Sequence, residues 1–315
     1  MMADVQGGGL FSRAVLLQVA TGRFSVRRKV SDLGAVDVDC DKSRLHIAAE
    51  LLTSAELDAI YSFDGATRRY LMSRALPVSL VAPGVYVMPL ASVEELDAYL
   101  SIRADARLPL VDAFCDVYAG RADAGRLSLG VLGDASMYPP VEVVRRAFRM
   151  GFSWFSLGAP GLLEGIRADL FARERAKLES SFSEALTEAR EALRAMAAGL
   201  VDHLLERLAP GADGRRKRFE ASTVEKLVEW CDTFNARNLA DDEALAAEVA
   251  KIRMALSGVT ADDLRGSAFA RRDVSLRLGE VKGALDSLLS DSPVRFFAAR
   301  EDVSADVQAD PAGVV

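Results

Sequence analysis

A long apolar stripe at helical spacing dominates the C-terminal half of the chain. Between residues 162 and 208, apolar side chains recur at intervals of three, four and seven, which is typical of an amphipathic helix that packs against another helix. This spacing predicts one continuous rod from Leu162 to Leu208, about 70 Å long at the usual rise per residue. The coiled-coil-like packing seam of this rod is assigned to Leu178, Phe182, Leu186, Leu193, Met196 and Leu200.

Shorter helical patterns follow the rod. A glycine-rich turn from Gly211 to Gly214 ends it, and the last helix is expected to run to about Leu289. Between the rod and the last helix, capping signals predict the starts of three further helices, at Ser222–Glu225, Asp241–Asp242 and Thr260–Asp263. Helices joined by short turns predict an antiparallel bundle.

Strand patterns mark the N-terminal half. The apolar run Ala14–Ala20 predicts a buried strand, and Phe24 and Val26 alternate with polar residues in a second strand, expected to be its hairpin mate. Short extended segments are predicted around a type II turn at Pro83–Gly84. Alternating aromatic and small or polar residues from Phe148 to Trp154 predict the clearest strand of the chain.

Helical patterns lie between these strands. Thr53–Glu56 and Ser92–Glu95 both match the capping box, in which the first and fourth residues satisfy amides at the start of a helix. Pro109 is expected to interrupt the second of these helices, because proline lacks an amide hydrogen. The glycines from Gly120 to Gly133 are expected to form a loop, and Gly158–Gly161 marks a domain boundary.

These patterns predict a predominantly helical α+β fold with four parts. The first is a flexible N-terminal segment, 1–13, followed by a small mixed α/β head, 14–160. A long amphipathic helix and a C-terminal helical bundle occupy 161–291, and an acidic tail, 292–315, is expected to be mostly disordered.

Composition and cysteine usage narrow the class of protein. The chain of 315 residues is 50% hydrophobic and 27% charged, which is globular composition, and its net charge of −7 disfavours general binding to a nucleic-acid backbone. Cys40, Cys115 and Cys231 are too widely spaced for a disulfide framework or a zinc knuckle. Met1–Gly9 does not resemble a secretion signal, and no apolar stretch is long enough for a bilayer, so we expect a cytoplasmic protein without membrane contact.

No catalytic, cofactor or metal site is predicted. The chain has no Walker loop, no Gly-x-Ser-x-Gly elbow and no His-Glu-x-x-His motif. His203 and Glu206 share a helix face and could supply at most half of the ligands of a metal site. Cys115 and His46 could form a catalytic cysteine–histidine pair if they met in the fold. A surface histidine and a buried structural cysteine are the favoured interpretations.

One cluster of positive charge is a candidate docking site for a protein partner or a phosphate group. It consists of Arg215, Arg216, Lys217 and Arg218. Four consecutive cations at a helix–helix turn are either a solvated tip or a contact point for an acidic protein surface or a nucleic-acid backbone. The aromatic residues from Phe148 to Trp154 offer a second nucleic-acid interpretation, base stacking, although such a stripe is usually the core face of a sheet.

The order of several short motifs resembles a known family. The motifs are the strand Leu16–Val19, Gly22–Arg23, Gly84–Pro89, the segment from Tyr138 to Trp154, Arg218–Phe219, Phe234–Asn235 and Asp241–Asp242. They are similar to an uncharacterised bacterial and phage family whose members are encoded beside MoxR-type AAA+ ATPases and proteins with a cobaltochelatase-like von Willebrand A domain. The resemblance covers residues 16–289 and brings no catalytic residues with it.

The resemblance implies a non-enzymatic accessory or adaptor protein that partners such an ATPase and A-domain protein. Two alternatives from the residues themselves stay open. One is a phage or prophage assembly protein that self-associates through its long helix, and the other is a nucleic-acid-binding protein that uses Arg215–Arg218. A hydrolase of unrecognised type ranks below both.

Overall fold

The computed structural model describes residues 13–29, 44, 47–79, 81–156, 158, 161–210, 217 and 220–290. Helices dominate these residues and a small antiparallel sheet accompanies them, so the predominantly helical α+β class is confirmed. The predicted flexible segment up to residue 12 and the predicted tail 292–315 lie outside the described residues. So do Cys40, His46, Arg215, Arg216 and Arg218.

The head is built around an antiparallel sheet of three strands. The described strands are β1 Ala14–Thr21, β2 Arg27–Lys29, β3 Ala48–Glu50, β4 Val85–Pro89 and β5 Met150–Phe155. The three-stranded sheet contains β1, β4 and β5, and β2 and β3 form a separate pair. β1 is central, with β4 and β5 as its antiparallel neighbours. A turn with Gly84 at φ +83° and a bond from the Val85 amide to the Ala82 carbonyl leads into β4, as the predicted type II turn requires.

The segment after Gly22 does not pair with β1, so the predicted hairpin is wrong. β2 pairs instead with β3, in register Arg27 with Glu50. Both edges of β1 are already occupied by β4 and β5, which leaves no position for a third partner. Phe24 lies outside the sheet and is buried among the helices of the head, where its ring packs edge-on against Tyr118.

The described part of the head also contains three α-helices: α1 Ala55–Arg74, α2 Val93–Leu129 and α3 Val141–Ala147. α1 and α2 run antiparallel, because Arg107 contacts Asp64 while Glu95 contacts Arg74. One face of the sheet, with Leu17 fully buried, packs on these two helices.

The helix α2 continues through two predicted interruptions. Pro109 lies on an exposed side of α2, so the carbonyl of Asp105 that loses its amide partner can face solvent. Gly120 and Gly125 also lie inside α2, and the helix ends only at Gly130, whose φ is +53°. Gly125 serves a close approach, since a Cβ there would lie 1.8 Å from the carbonyl oxygen of Leu51.

The two predicted capping boxes of the head do not form. α1 begins one residue later than predicted, with Ser54 as its N-cap, and the Ser54 hydroxyl donates to Glu56 and not to a backbone group. α2 does begin after Ser92, but its hydroxyl makes no capping bond. Glu95, the fourth residue of that box, instead accepts hydrogen bonds from the Tyr70 hydroxyl and from Arg74. At α2, tertiary partners of Glu95 therefore replace the local cap.

The C-terminal part is a helical bundle. Its helices are α4 Leu162–Ile166, α5 Ala168–Leu208, α6 Ala221–Arg237, α7 Glu243–Leu256, α8 Ala261–Gly266 and α9 Ala268–Ser290. α5 and α9 run antiparallel, since Asp202 pairs with Lys282 while Arg194 donates to the carbonyl of Leu288. This agrees with the predicted antiparallel pairing.

The predicted rod is one long helix with a break near its start. Arg167 has extended backbone angles, φ −154° and ψ 104°, and separates the short α4 from α5. The continuous part, α5, has 41 residues and is about 60 Å long. The rod from Leu162 to Leu208 is therefore not a single helix, although most of it is.

Capping of the bundle helices follows the sequence in two of three cases. Asp242 accepts from the Leu245 amide at the start of α7, and Thr260 and Asp263 form a reciprocal capping box at α8, as predicted. The segment Ser222–Glu225 lies inside α6, because that helix already begins at Ala221.

The head and the bundle share a buried apolar cluster, which we call the joint. Its buried members are Ala14, Leu76 and Val87 from the head and Phe182, Ala189 and Leu239 from the bundle. Two polar contacts lie beside it, a salt bridge from Arg13 to Asp241 at 2.8 Å and hydrogen bonds from Ser79 to Glu188. α5 therefore covers the second face of the sheet at Ala14, Leu16 and Val87.

Among the helices that the structure describes, none is both long and apolar enough to span a bilayer.

Candidate interaction site

The predicted packing seam of α5 is covered by the chain itself. Leu178, Phe182 and Leu186 belong to the joint, with Phe182 buried and the two leucines partly so. Leu193 is buried in the bundle core and Leu200 packs against it. The seam needs no external partner along this part of α5.

Met196 does not belong to that seam, because its side chain is 38% exposed. The buried face steps along α5 at intervals of four, through Ala185, Ala189, Leu193, Ala197 and Val201. Each step of four advances by about 40° around the helix, so the face turns away from the side where Met196 lies. Alanines make up most of this face, and the large apolar residues used for the prediction only partly mark it.

The segment 162–177, which contains α4 and the first ten residues of α5, is not buried at any position. We call it the arm. Phe182 is the first buried residue of α5, so the chain forms about four turns of that helix before it reaches a buried position. From Ala168 to Ala198 the helix contains no glycine or proline and is rich in alanine, leucine, arginine, glutamate and lysine, which are strong helix formers.

The arm exposes large apolar side chains. Leu162 and Ile166, one turn apart on α4, are 85% and 74% exposed. Leu170 and Phe171 are partly exposed, and intervals of seven and four lead from Phe171 through Leu178 to Phe182. An apolar stripe that is buried at one end and solvent-exposed at the other is a surface on which another protein can pack.

The cations of the arm are paired within the helix and its start. Arg175 lies 2.9 Å from Glu179, Lys177 lies 2.7 Å from Glu174, and Arg167 contacts Asp169. The hydrogen bond from Lys177 lowers the pKa of Glu174, so this carboxylate stays ionised at neutral pH. Exposed pairs of this kind add little stability, but they leave no unpaired cation on the arm to select an acidic partner.

Only Lys217 of the predicted basic cluster is described. Its ammonium lies 3.4 Å from Glu206 on α5, and its carbonyl accepts from Arg271 at 3.5 Å. The side chain of Lys217 is partly covered. Arg215, Arg216 and Arg218 lie outside the described residues, so the predicted docking role of this cluster stays a prediction.

Of the candidate metal-ligating and nucleophilic side chains, the structure describes His203, Glu206 and Cys115. His203 and Glu206 are both exposed on α5, and the described residues contain no group of three or more metal-ligating side chains. Cys115 and Cys231 are buried free thiols. Burial raises the pKa of both, for Cys231 to about 11, which keeps the thiols protonated and poorly nucleophilic at neutral pH.

The aromatic strand β5 forms the core face of the sheet. Met150, Phe152 and Trp154 pack on the cluster between the sheet, α1 and α2, while the residues between them face outward. The Trp154 indole also donates to Asp97 at 2.8 Å. Phe152 and Trp154 are therefore partly covered by this cluster.

A buried ion pair joins Asp64 and Arg107, and it was not predicted from the sequence. Both side chains are 2% exposed, and Arg107 also donates to the carbonyls of Phe148 and Gly22. A signal for it exists in the sequence. Arg107 occupies an apolar position of α2, seven residues after Leu100 and seven before Phe114. A charge at a core position of an amphipathic stripe indicates a buried partner.

Comparison with known proteins gives no relative. The chain matches no protein-family model, no curated protein and no solved structure. The surface of the molecule itself is therefore the basis on which a function is inferred.

Proposed function

We propose that this chain is a non-enzymatic accessory protein that binds a protein partner through the arm. The observation that carries the proposal is the exposed apolar stripe of α4 and early α5, whose neighbouring charges are already paired. A stripe of this kind suits an apolar groove or an amphipathic helix on the partner. The rest of α5 is held by the head and the bundle, which fixes the arm to a folded base.

The resemblance described above makes a MoxR-type AAA+ ATPase or a von Willebrand A-domain protein the partner to test first. An adaptor between two such proteins needs a docking segment and a rigid body, and the arm and the joined head and bundle are suited to these two roles. The free thiols Cys115 and Cys231 support a reducing compartment, and we propose the cytoplasm.

The test is co-purification of the full chain with the MoxR-type ATPase and with the A-domain protein of the same host. The double variant Leu162→Glu/Ile166→Glu places two carboxylates on the stripe and is expected to abolish complex formation without unfolding the protein, because both side chains are exposed. Met254→Glu on α7 is the matched control, since Met254 is 72% exposed outside the arm, and it should bind like the wild type. Equal retention of both variants, or no complex with either protein, would contradict the proposal.

Self-association through the arm is the competing proposal, because an exposed apolar stripe can also pack against a second copy. Light scattering of the purified chain distinguishes the two. A concentration-dependent oligomer that the Leu162→Glu/Ile166→Glu variant abolishes would favour the assembly protein, and a monomer at all concentrations would favour the adaptor. The third alternative, nucleic-acid binding by Arg215–Arg218, predicts steep salt dependence that neutralisation of these residues removes.

A further inference from the structure

A cavity of about 500 Å³ lies at the end of the bundle where α5 stops and α9 begins. It opens to solvent, because Ala209, Pro210 and Ala268 in its lining are exposed. Cavities of this size are typical of sites for small molecules. The cavity lies at the opposite end of α5 from the arm, so a ligand bound there is independent of the proposed protein partner.

The lining of the cavity is mostly apolar. Leu205 and Leu208 on α5 form one side together with Ala209 and Pro210, and Ala268 lies on the side of α9. Leu208 is buried in the bundle core, and Leu205 packs against that core. Apolar groups that enter the cavity therefore leave water for a surface that is continuous with the core, which favours a ligand with an apolar body.

The polar part of the lining is a stripe along α9. Arg271, Arg272 and Ser275 follow Ala268 by three, four and seven residues, so all four share one face of the helix. At the usual rise per residue, this wall is about 10 Å long. No aromatic side chain is among the lining residues that the structure describes, so the wall favours an extended aliphatic chain over a stacked ring.

Arg272 is the cation of this wall that is available to a ligand. It is exposed, and it makes no hydrogen bond or ion pair with any other residue in the described part of the chain. Arg271 is 7% exposed, and its Nη2 atom donates to the backbone carbonyls of Arg207 and Lys217 at 3.4 and 3.5 Å. One available cation matches one negative charge on a ligand.

The acidic residues beside the lining residues in the sequence are paired with other cations. Asp273 lies 3.0 Å from Arg277, and Glu206 lies 3.4 Å from Lys217. Among the described residues that line the cavity there is no carboxylate. The charge that the cavity presents to a ligand is therefore positive.

We propose that the cavity binds a free fatty acid of medium chain length, with its aliphatic chain against Leu205, Leu208 and Ala268 and its carboxylate at Arg272. The chain matches the apolar lining and the elongated wall, and the carboxylate neutralises the one available guanidinium. A phosphate ester would bring a second negative charge that Arg272 alone does not balance.

Isothermal titration calorimetry of the full chain with butanoate, hexanoate and octanoate tests the apolar part of the proposal. Each acid is kept below the concentration at which it forms micelles. Each added methylene that is buried should strengthen binding by about fourfold, so octanoate should bind most tightly of the three. Its binding should also show a negative change in heat capacity, which marks the burial of apolar surface.

Ala268→Phe tests the location. The larger side chain occupies part of the cavity, and we expect it to weaken octanoate binding by about tenfold or more, the effect of displacing two methylenes. Ala268 is exposed, so the variant should still fold, which circular dichroism checks. Ala113→Phe on α2 is the matched control, an exposed alanine of the head, and it should bind octanoate like the wild type.

Arg272→Gln tests the charge, and it decides the matter if Ala268→Phe does not fold. It should weaken octanoate binding by about fivefold, the effect of one solvent-exposed ion pair, and leave the binding of octanol unchanged because octanol has no carboxylate. Arg277→Gln removes another exposed arginine of α9 and should bind octanoate like the wild type.

Four results would each overturn the proposal. They are no saturable binding of octanoate, equal affinities for butanoate and octanoate, octanoate binding that is unchanged in folded Ala268→Phe or in Arg272→Gln, and tighter binding of octyl phosphate than of octanoate.

Discussion

Asp64 and Arg107 show how single residues hold the head together. Their ion pair joins α1 to α2, and the remaining donors of Arg107 reach the carbonyls of Gly22, after β1, and Phe148, before β5. All these groups are withdrawn from water, so each depends on the others for its hydrogen bonds. Removal of one partner leaves the other buried and uncompensated.

We therefore expect Asp64→Ala to lower the free energy of unfolding by about 3–5 kcal/mol, measured by urea denaturation. The control is Glu179→Ala, which breaks the exposed pair with Arg175 on α5 and should cost about 0–1 kcal/mol. Similar losses in the two variants would mean that the buried pair has no special role.

Two glycines inside α2 allow a second test at the scale of the residue. Gly125→Ala places a Cβ 1.8 Å from the Leu51 carbonyl oxygen, so the backbone must shift, and we expect a loss of about 1–3 kcal/mol in stability. At Gly120 a Cβ meets nothing within 4 Å, and Gly120→Ala should stabilise the helix by about 0.5–1 kcal/mol. The midpoints of urea unfolding of the two variants should move in opposite directions, and a shift in the same direction would show that helix propensity alone decides both.

At the scale of the element, a capping box forms at the start of α8, whereas the two boxes predicted for the head do not form. Thr260 and Asp263 bond each other's backbone amides at the start of α8, so Thr260→Ala is expected to cost about 1 kcal/mol in thermal or urea unfolding. Ser92→Ala at the start of α2 removes no capping bond and should cost measurably less. An equal cost would indicate that intrinsic N-cap preference matters more than the hydrogen bond.

The existence and type of most elements could be predicted from periodicity, but their interruptions could not. Local rules placed breaks at Pro109 and Gly120, whereas α2 continues through both because packing of its buried face supports the helix. Conversely, the helix breaks at Arg167 although the sequence has no proline and no two consecutive glycines there. A pattern reports which face is apolar, and it does not report how much tertiary support a weak position receives.

The pairing of elements was harder to predict than the elements themselves. Nothing local in Phe24 or Val26 reveals that both edges of β1 are taken by strands from much later in the chain. The arm could be predicted only in part. From Leu162 to Leu208 the spacing of apolar residues is the same in the part that is covered and in the part that is exposed. Which part of a stripe is covered depends on the whole molecule.

At the scale of the whole molecule, the head and the bundle that the sequence predicted as separate parts share buried surface at the joint. Phe182 of α5 packs with Leu76 and Val87 of the head and is 4% exposed. Each part also has one tryptophan, Trp154 in β5 and Trp230 in α6, so the unfolding of each part can be followed separately.

We expect the head and the bundle to unfold in one transition, because neither buries the joint cluster alone. In urea titrations, Trp230→Phe protein reports the head and Trp154→Phe protein reports the bundle, and their midpoints should coincide. Phe182→Ala should cost about 3–5 kcal/mol and separate the two midpoints, since it opens the surface that couples them. Leu278→Ala, in the bundle core, should lower stability and leave the midpoints together. Separate midpoints in the parent single-tryptophan proteins would show instead that the two parts fold independently.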